Sequence, residues 1–187
     1  MGPSTIMRRV HTAIGRARCW MILRPRVSGR LKLRGDVRRI RIDRSFRCDG
    51  DLWLGVHSDD GLIDIGAGVS ASGPLIITAV RPLRIGAGTL FGPNVLITDH
   101  YHGNVRDPDH LSMPPSLRPL HSPGEIAIDS EVQIGANCVV LSPANIGSRA
   151  IVAANAVVKG LVGARTIYKG LESSSQRHDR QETAPGD

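Results

Sequence analysis

The stretch IAIDSEVQIGANCVVLSPANIGSRAIVAANAVV, residues 126–158, decides the fold of this chain. An aliphatic residue recurs at every sixth position, and a second residue that can be buried stands two places before each of them. The aliphatic positions are Ile128, Ile134, Val140, Ile146, Val152 and Val158, with partners Ile126, Val132, Cys138, Ala144, Ala150 and Ala156. Alternation within each six is typical of strands, and the six-residue period indicates short parallel strands stacked in coils. An α-helix cannot hold this register over such a length, because its period is 3.6 residues.

The same pattern recurs upstream after changes of register. Its positions are Ile65, Ala71, Ile77, Ile85, Phe91 and Ile97, with partners Ile63, Val69, Leu75, Leu83, Thr89 and Val95. A weaker echo lies at Ile42, Cys48 and Leu54, with Ile40, Phe46 and Leu52. We therefore predict an all-β fold, a parallel β-helix of hexapeptide repeats over residues 31–170, in which three sixes make one triangular coil. Gly135 and Gly147 each follow an aliphatic position, where a close backbone approach favours glycine.

Length and composition indicate one domain with an aliphatic core. The chain has 187 residues, of which 41% are hydrophobic and only 3% aromatic. Three cysteines without a pairing pattern indicate a reducing compartment. The sequence has neither a secretory signal nor an apolar run near the ~20 residues of a membrane span. We expect a cytoplasmic protein.

Positive charge is concentrated at the start of the chain. Residues 1–47 carry 14 Lys and Arg against 2 acids. Within an N-terminal unit of residues 1–30, residues 5–22 have the spacing of a basic amphipathic helix, which we expect to cap the open first coil. Contact with an anionic membrane surface is the less favoured alternative, and no nucleic-acid-binding module is recognisable. The polar residues 171–187 are predicted to be disordered.

The repeat stops between Ile97 and Ile128, and a long loop, residues 98–127, fills the gap. Long loops in compact domains are usually functional. This one carries four histidines: His100, His102, His110 and His121.

The repeat, the AspHisTyrHis segment at 99–102 and the tail IleGlyAlaAsnCysValValLeu that starts at Ile134 resemble the hexapeptide-repeat O-acetyltransferases. The match covers roughly residues 60–170 and is nearest to the branch that modifies sugars and surface polysaccharides. The resemblance implies a left-handed coil and a homotrimer with active sites between subunits. It also implies acetyl-CoA as the acyl donor and a sugar as the acceptor.

In that family a histidine at the start of the loop is the general base, and His100 matches it. Transfer of an acyl group from a thioester to a hydroxyl requires removal of the hydroxyl proton, which a neutral imidazole performs well near neutral pH. His102 faces the same way along an extended segment and is the second candidate. Alternation along a strand should turn Asp99 away from His100, so we do not expect it to orient the imidazole. Residues expected to line the acceptor site are Ser72, Asp99 and Tyr101.

The donor site is assigned by position in the family's final coils. Residues matching its pantetheine contacts are Gly135, Ala136, Ala153 and Ala154, and the Ala136 N–H is the candidate oxyanion donor. Candidate contacts to the nucleotide phosphates are Lys159, Arg165 and Lys169.

Two positions depart from the family: Gln133 in place of a tryptophan predicts different packing around the donor, and Ser72 in place of an asparagine disfavours a galactoside or maltose acceptor. We predict an acetyl-CoA-dependent O-acetyltransferase acting on a sugar hydroxyl of a surface-glycan precursor. The alternatives are an N-acetyltransferase of an amino sugar, a non-catalytic scaffold, and a zinc hydratase of the same fold. No metal is expected, because the histidine spacing differs from that of the zinc enzymes.

Overall fold

The computed structural model describes residues 26–170, which wind into six coils of short parallel strands. The strands are β1 (Leu31–Gly35), β2 (Ile40–Ile42), β3 (Arg47–Cys48), β4 (Leu52–Val56), β5 (Leu62–Ile65), β6 (Ser70–Ala71), β7 (Leu75–Ala79), β8 (Pro82–Ile85), β9 (Leu90–Phe91), β10 (Val95–Thr98), β11 (Tyr101–His102), β12 (Leu120–His121), β13 (Ile126–Ile128), β14 (Gln133–Ile134), β15 (Val139–Ile146), β16 (Ile151–Val152), β17 (Val157–Val162) and β18 (Ile167–Tyr168). The predicted parallel β-solenoid is confirmed. The predicted helix over residues 5–22 and the tail over residues 171–187 lie outside the described residues.

Each coil adds one strand to each of three faces of a prism. Face 1 contains β1, β4, β7, β10 and the first halves of β15 and β17, and face 2 contains β2, β5, β8, β13 and the second halves of β15 and β17. Face 3 is a six-stranded sheet of β3, β6, β9, β14, β16 and β18. We call the turn from face 1 to face 2 the first corner, from face 2 to face 3 the second corner, and from face 3 to the next coil's face 1 the third corner.

The interior of the prism is aliphatic, as the repeat predicts. Every predicted inward position of residues 126–158 is buried, and so is every one from Ile63 to Ile97. Phe46 and Phe91 are the largest of the fully buried side chains. In the weaker first coil Ile42 is half-buried, and strand β1, which the pattern did not predict, precedes it.

An asparagine ladder runs along the third corner. Asn94, Asn137 and Asn155 have left-handed backbone conformations, with φ of 60°, 58° and 64°. Asn94 Nδ2 donates to Asn137 Oδ1 at 3.2 Å, and Asn137 Nδ2 donates to Asn155 Oδ1 at 3.1 Å. Asparagine tolerates this conformation better than other residues with a side chain, because its short amide can bond locally. The ladder ties together three successive turns.

The excursion leaves the prism at the first corner of the fourth coil, after β10, and returns at β13. Strands β11 and β12 pair antiparallel in it, and between them lie helix α1 (Pro108–Ser112) and a 3-10 turn (Pro115–Leu117). A second 3-10 turn, Val37–Arg39, occupies the first corner of the first coil. None of the helices in the described part of the chain has the length and apolarity needed to span a bilayer.

The stacking of turns predicts unequal effects for two glycines at the second corner. A Cβ on Gly147 would lie 2.6 Å from the Ala164 nitrogen of the next coil, so Gly147→Ala must push two backbones apart. Gly163 occupies the same place one coil later, where, among residues 26–170, a Cβ would meet only the Thr166 side chain, at 3.3 Å and beyond. We expect Gly147→Ala to lower the free energy of unfolding by about 1–3 kcal/mol.

Gly163→Ala is the matched control, and it should change stability by less than about 1 kcal/mol. Urea denaturation of both variants measures the difference. Equal destabilisation by the two substitutions would contradict the stacking argument.

Candidate active site

A buried carboxylate lies where the excursion begins. Asp99 is fully buried at the first corner of the fourth coil. Its carboxylate accepts hydrogen bonds from the Val80 amide at 2.9 Å and the Arg81 amide at 2.6 Å, both in the coil below. The Ser142 hydroxyl of the coil above donates to the Asp99 carbonyl at 2.7 Å. These bonds fix both the side chain and the backbone of Asp99.

Asp99 in turn holds the imidazole of His100. His100 Nδ1 lies 2.9 Å from Asp99 Oδ1, and only 12% of the His100 side chain is exposed. A carboxylate oxygen can only accept, so in the neutral ring the Nδ1 atom carries the proton and Nε2 has the lone pair. An imidazole in this tautomer can take a proton at Nε2, while the carboxylate stabilises the resulting cation.

The expectation that Asp99 faces away from His100 is therefore wrong. Strand alternation ends at Thr98, and at the corner the two adjacent side chains converge. The expectation that Asp99 contacts the acceptor is also wrong, because its carboxylate is buried against His100 and two backbone amides.

A second histidine lies beside the first. The ring centroids of His57 and His100 are 5.7 Å apart, with the planes at 71°. The pKa of His57 is lowered chiefly by burial, then by the positive charge that His100 and Arg34 can carry, against the opposing effect of Asp99. The repeat pattern does not connect His57 with His100. The proximity of His57 to His100 depends on the stacking of coils, which residue spacing alone did not show.

The other histidines of the excursion have different surroundings. The His102 side chain is exposed and makes no hydrogen bond or ion pair within residues 26–170. His110 Nδ1 accepts from the Asn104 amide at 3.0 Å, which gives this ring a structural role in the loop. His121 is half-buried and pairs with Tyr101 across the hairpin. In the described part of the chain, no three His, Cys, Asp or Glu side chains are grouped to hold a metal ion.

The predicted donor residues lie at the third corner, not at the first. Gly135 and Ala136 precede β15, and Ala153 and Ala154 precede β17 directly above them, with the Asn155 amide donating to the Ala136 carbonyl at 2.8 Å. Within residues 26–170, the amides of Ala136 and Ala154 donate no hydrogen bond, and both residues are at least partly exposed. Face 1, roughly 15 Å wide at about 3.3 Å per residue, separates this corner from His100.

The remaining predicted contacts are spread around the prism. Ser72 lies at the third corner, far from His100 of the same chain. Tyr101 is half-buried, and Lys159 Nζ lies 6.0 Å from its ring centroid at the first corner. Arg165 is at the second corner and Lys169 follows β18 at the third. Lys159, Arg165 and Lys169 therefore lie at three different corners of one chain, and their contact with the nucleotide phosphates stays a prediction.

A concavity on the outer surface lies apart from the Asp99–His100 pair. A groove of about 700 Å³ runs along face 1 of the first three coils, beside Trp53, Lys32 and Ile76. The Lys32 ammonium lies 3.7 Å from the Trp53 ring centroid. This groove contains no pair of groups suited to proton transfer, so the Asp99–His100 pair identifies the reactive corner better than volume does.

Comparison with known proteins supplies a relative of similar length. The chain is 32% identical over 162 residues to WbbJ of Escherichia coli strain K12, which is named as a lipopolysaccharide biosynthesis O-acetyl transferase. The alignment covers 79% of this chain and 82% of that protein. No protein-family model matches the chain.

Two solved structures are similar at lower identity. A variant of AntD, an N-acyltransferase from Bacillus cereus in complex with dTDP-4-amino-4,6-dideoxyglucose and coenzyme A, has a TM-score of 0.47 at 14% identity, covering 81% of this chain and 84% of that one. A maltose O-acetyltransferase from Clostridium difficile 630 has a TM-score of 0.44 at 18% identity, covering 78% and 66%.

The relationship to WbbJ extends over about four-fifths of both proteins. On this evidence the chain belongs to the hexapeptide-repeat acetyltransferases.

Proposed function

We propose that this protein transfers the acetyl group of acetyl-CoA to a hydroxyl of a sugar, in a precursor of a cell-surface glycan, with His100 as the general base. The observation that carries the proposal is the 2.9 Å contact between His100 Nδ1 and the buried Asp99 carboxylate. The name of the relative, a lipopolysaccharide biosynthesis enzyme, supports the glycan acceptor. Synthesis of such precursors from acetyl-CoA fits a cytoplasmic location.

The proposed step begins with the acceptor hydroxyl at His100 Nε2. As the hydroxyl oxygen attacks the thioester carbonyl, its proton moves to Nε2, and the buried Asp99 carboxylate stabilises the imidazolium. The tetrahedral intermediate collapses, the C–S bond breaks, and the proton passes from Nε2 to the departing CoA thiolate. The N–H of Ala136, a partly exposed residue, makes no hydrogen bond within residues 26–170 and would serve the oxyanion.

We further propose that the site is built between subunits of a homotrimer. The base and the predicted donor residues lie at opposite edges of face 1 in one chain, so one subunit cannot bring them together. A neighbour packed against this face could place its third corner beside His100. Small residues at that corner, Ala136 and Ala154, would let the pantetheine arm of CoA approach the backbone. We also propose that the coils are left-handed and that the N-terminal segment caps the first coil.

The first test concerns the base. His100→Ala should lower kcat for thiol release from acetyl-CoA by about 10²–10⁴, the usual contribution of a positioned base, while CoA binding is retained. His102→Ala, which alters an exposed histidine of the same loop, should keep the wild-type rate. A panel of sugars, amino sugars and amino acids serves as acceptors, so it also separates O- from N-acetylation. Wild-type turnover by His100→Ala together with a loss in His102→Ala would reassign the base.

The second test concerns the carboxylate. Asp99→Asn should lower kcat at least about tenfold with His100 in place, because a neutral amide cannot stabilise the imidazolium. Thermal unfolding of the variant, followed by circular dichroism, distinguishes this effect from loss of fold. An Asp99→Asn variant that folds and retains full activity would show that the pair has no catalytic role.

The third test concerns the shared site. His100→Ala lacks the base, and Ala154→Trp should block the exposed donor corner, so each homotrimer should be nearly inactive. In a mixed trimer, at least one groove takes its histidine from the Ala154→Trp chain and its donor corner from the His100→Ala chain. Co-expression should therefore restore a sizeable fraction of wild-type activity. Mixed trimers verified by mass spectrometry that remain inactive would place the whole site in one chain.

A further inference from the structure

The outer surface of face 1 changes character next to the first corner. Its central column is largely apolar and includes Trp53, Ile76 and Leu96, which are aligned from coil to coil. The adjacent column, nearer the first corner, contains Gly55, Thr78 and Thr98 in the same register. A polar strip, which we define as His57, Thr78, Thr98 and His100, therefore lies beside an apolar one.

Gly55 provides the space in which the His57 ring lies. A Cβ at this position would be 2.7 Å from His57 Nε2 and 3.3 Å from His57 Cε1. The His57 ring therefore folds back over face 1 instead of projecting into solvent. The absence of a side chain at Gly55 allows this orientation and places the ring near Thr78 and His100.

The threonines contribute further hydrogen-bonding capacity to the strip. Thr78 and Thr98 are joined by a hydrogen bond of 3.0 Å between their hydroxyl oxygens. A hydroxyl has one proton and two lone pairs, so this bond leaves capacity on the half-buried Thr98 for a further partner. Thr98 directly precedes the Asp99–His100 pair, and the free capacity is thus close to the base.

The chemistry of the His57 ring suits a hydroxyl better than an anion. Burial, followed by the positive charge that His100 and Arg34 can carry, lowers the pKa of His57, and only Asp99 opposes the shift. The ring is accordingly neutral at pH 7 and offers one donor and one acceptor. His57 is nevertheless an exposed residue, so a ligand on face 1 can reach the ring.

We propose that His57 contacts the acceptor sugar directly, by a hydrogen bond to a second hydroxyl next to the one from which His100 removes the proton. The proposal rests on the proposed acetyl transfer and specifies its acceptor: a sugar with at least two neighbouring free hydroxyls. The ring faces of such a sugar are apolar and match the column of Ile76 and Leu96 beside the strip. His57 would thus select among acceptors without taking part in the proton transfer.

Kinetics with deoxy sugars test this inference. The acceptor is the methyl pyranoside with the highest turnover in the screen, compared with its monodeoxy derivatives. For the wild type, removal of the neighbouring hydroxyl should lower kcat/KM about 3–10-fold, the value of one neutral hydrogen bond. His57→Ala should cause a similar loss with the parent sugar and little further loss with that deoxy sugar.

Two more variants distinguish contact from mere packing. Gly55→Ala leaves the histidine in the sequence but displaces its ring, and it should reproduce the His57→Ala pattern. His57→Gln, whose amide can reach similar partners, should recover part of the loss with the parent sugar. A uniform loss for every acceptor in His57→Ala would mean that His57 only positions His100, and it would overturn the inference.

Thiol release from acetyl-CoA distinguishes failure of this inference from failure of the proposed function. His100-dependent thiol release that is insensitive to His57→Ala on all acceptors overturns this inference alone. The absence of His100-dependent thiol release with any acceptor in the screen overturns the proposed function, and this inference with it.

Discussion

Parallel hydrogen bonding between successive coils fixes where every side chain of this protein can lie. Ile77 aligns with Ile97, and Ile97 with Val140, so each inward residue packs on its equivalent in the next coil. The same register fixes the outward residues. A group of functional side chains can therefore be assembled only from equivalent positions of neighbouring coils or from an insertion at one corner. Thr78 and Thr98 are brought together by the first route, and His100 by the second.

Asp99 has both a structural and a chemical role. Where the excursion leaves the stack, the fourth coil no longer provides the carbonyls that would pair with the amides of Val80 and Arg81. The Asp99 carboxylate accepts from both, and they compensate for part of the cost of burying a charge. Because those bonds orient the carboxylate, they also determine the face that it presents to His100. The carboxylate that pairs with the free amides of the third coil thus also selects the tautomer of His100.

The repeat was sufficient to predict the coils but not the arrangement at the corners. Periodicity placed Val140 and Ile146 inside because inward positions recur regularly, and both are buried. Alternation failed at Asp99 because the strand ends one residue earlier. His57 was not recognised as a neighbour of His100, since the two are far apart in sequence and meet only through stacking and the space left by Gly55. Residue spacing also did not reveal that Lys159, Arg165 and Lys169 occupy different corners.

The coil that carries the excursion remains hydrogen-bonded on both sides of it, through Leu96 to Val139 and through Ile126 to Leu83. At the same corner one coil earlier, two residues connect face 1 to face 2, whereas 27 residues do so here. Because the entropic cost of closing a loop grows only with the logarithm of its length, the longer connection costs only about 2 kcal/mol more. The excursion therefore costs little in free energy of folding, and the pairing of the coils does not depend on its length. A longer, shorter or different excursion would change which molecules reach His100 and would leave the coils as they are.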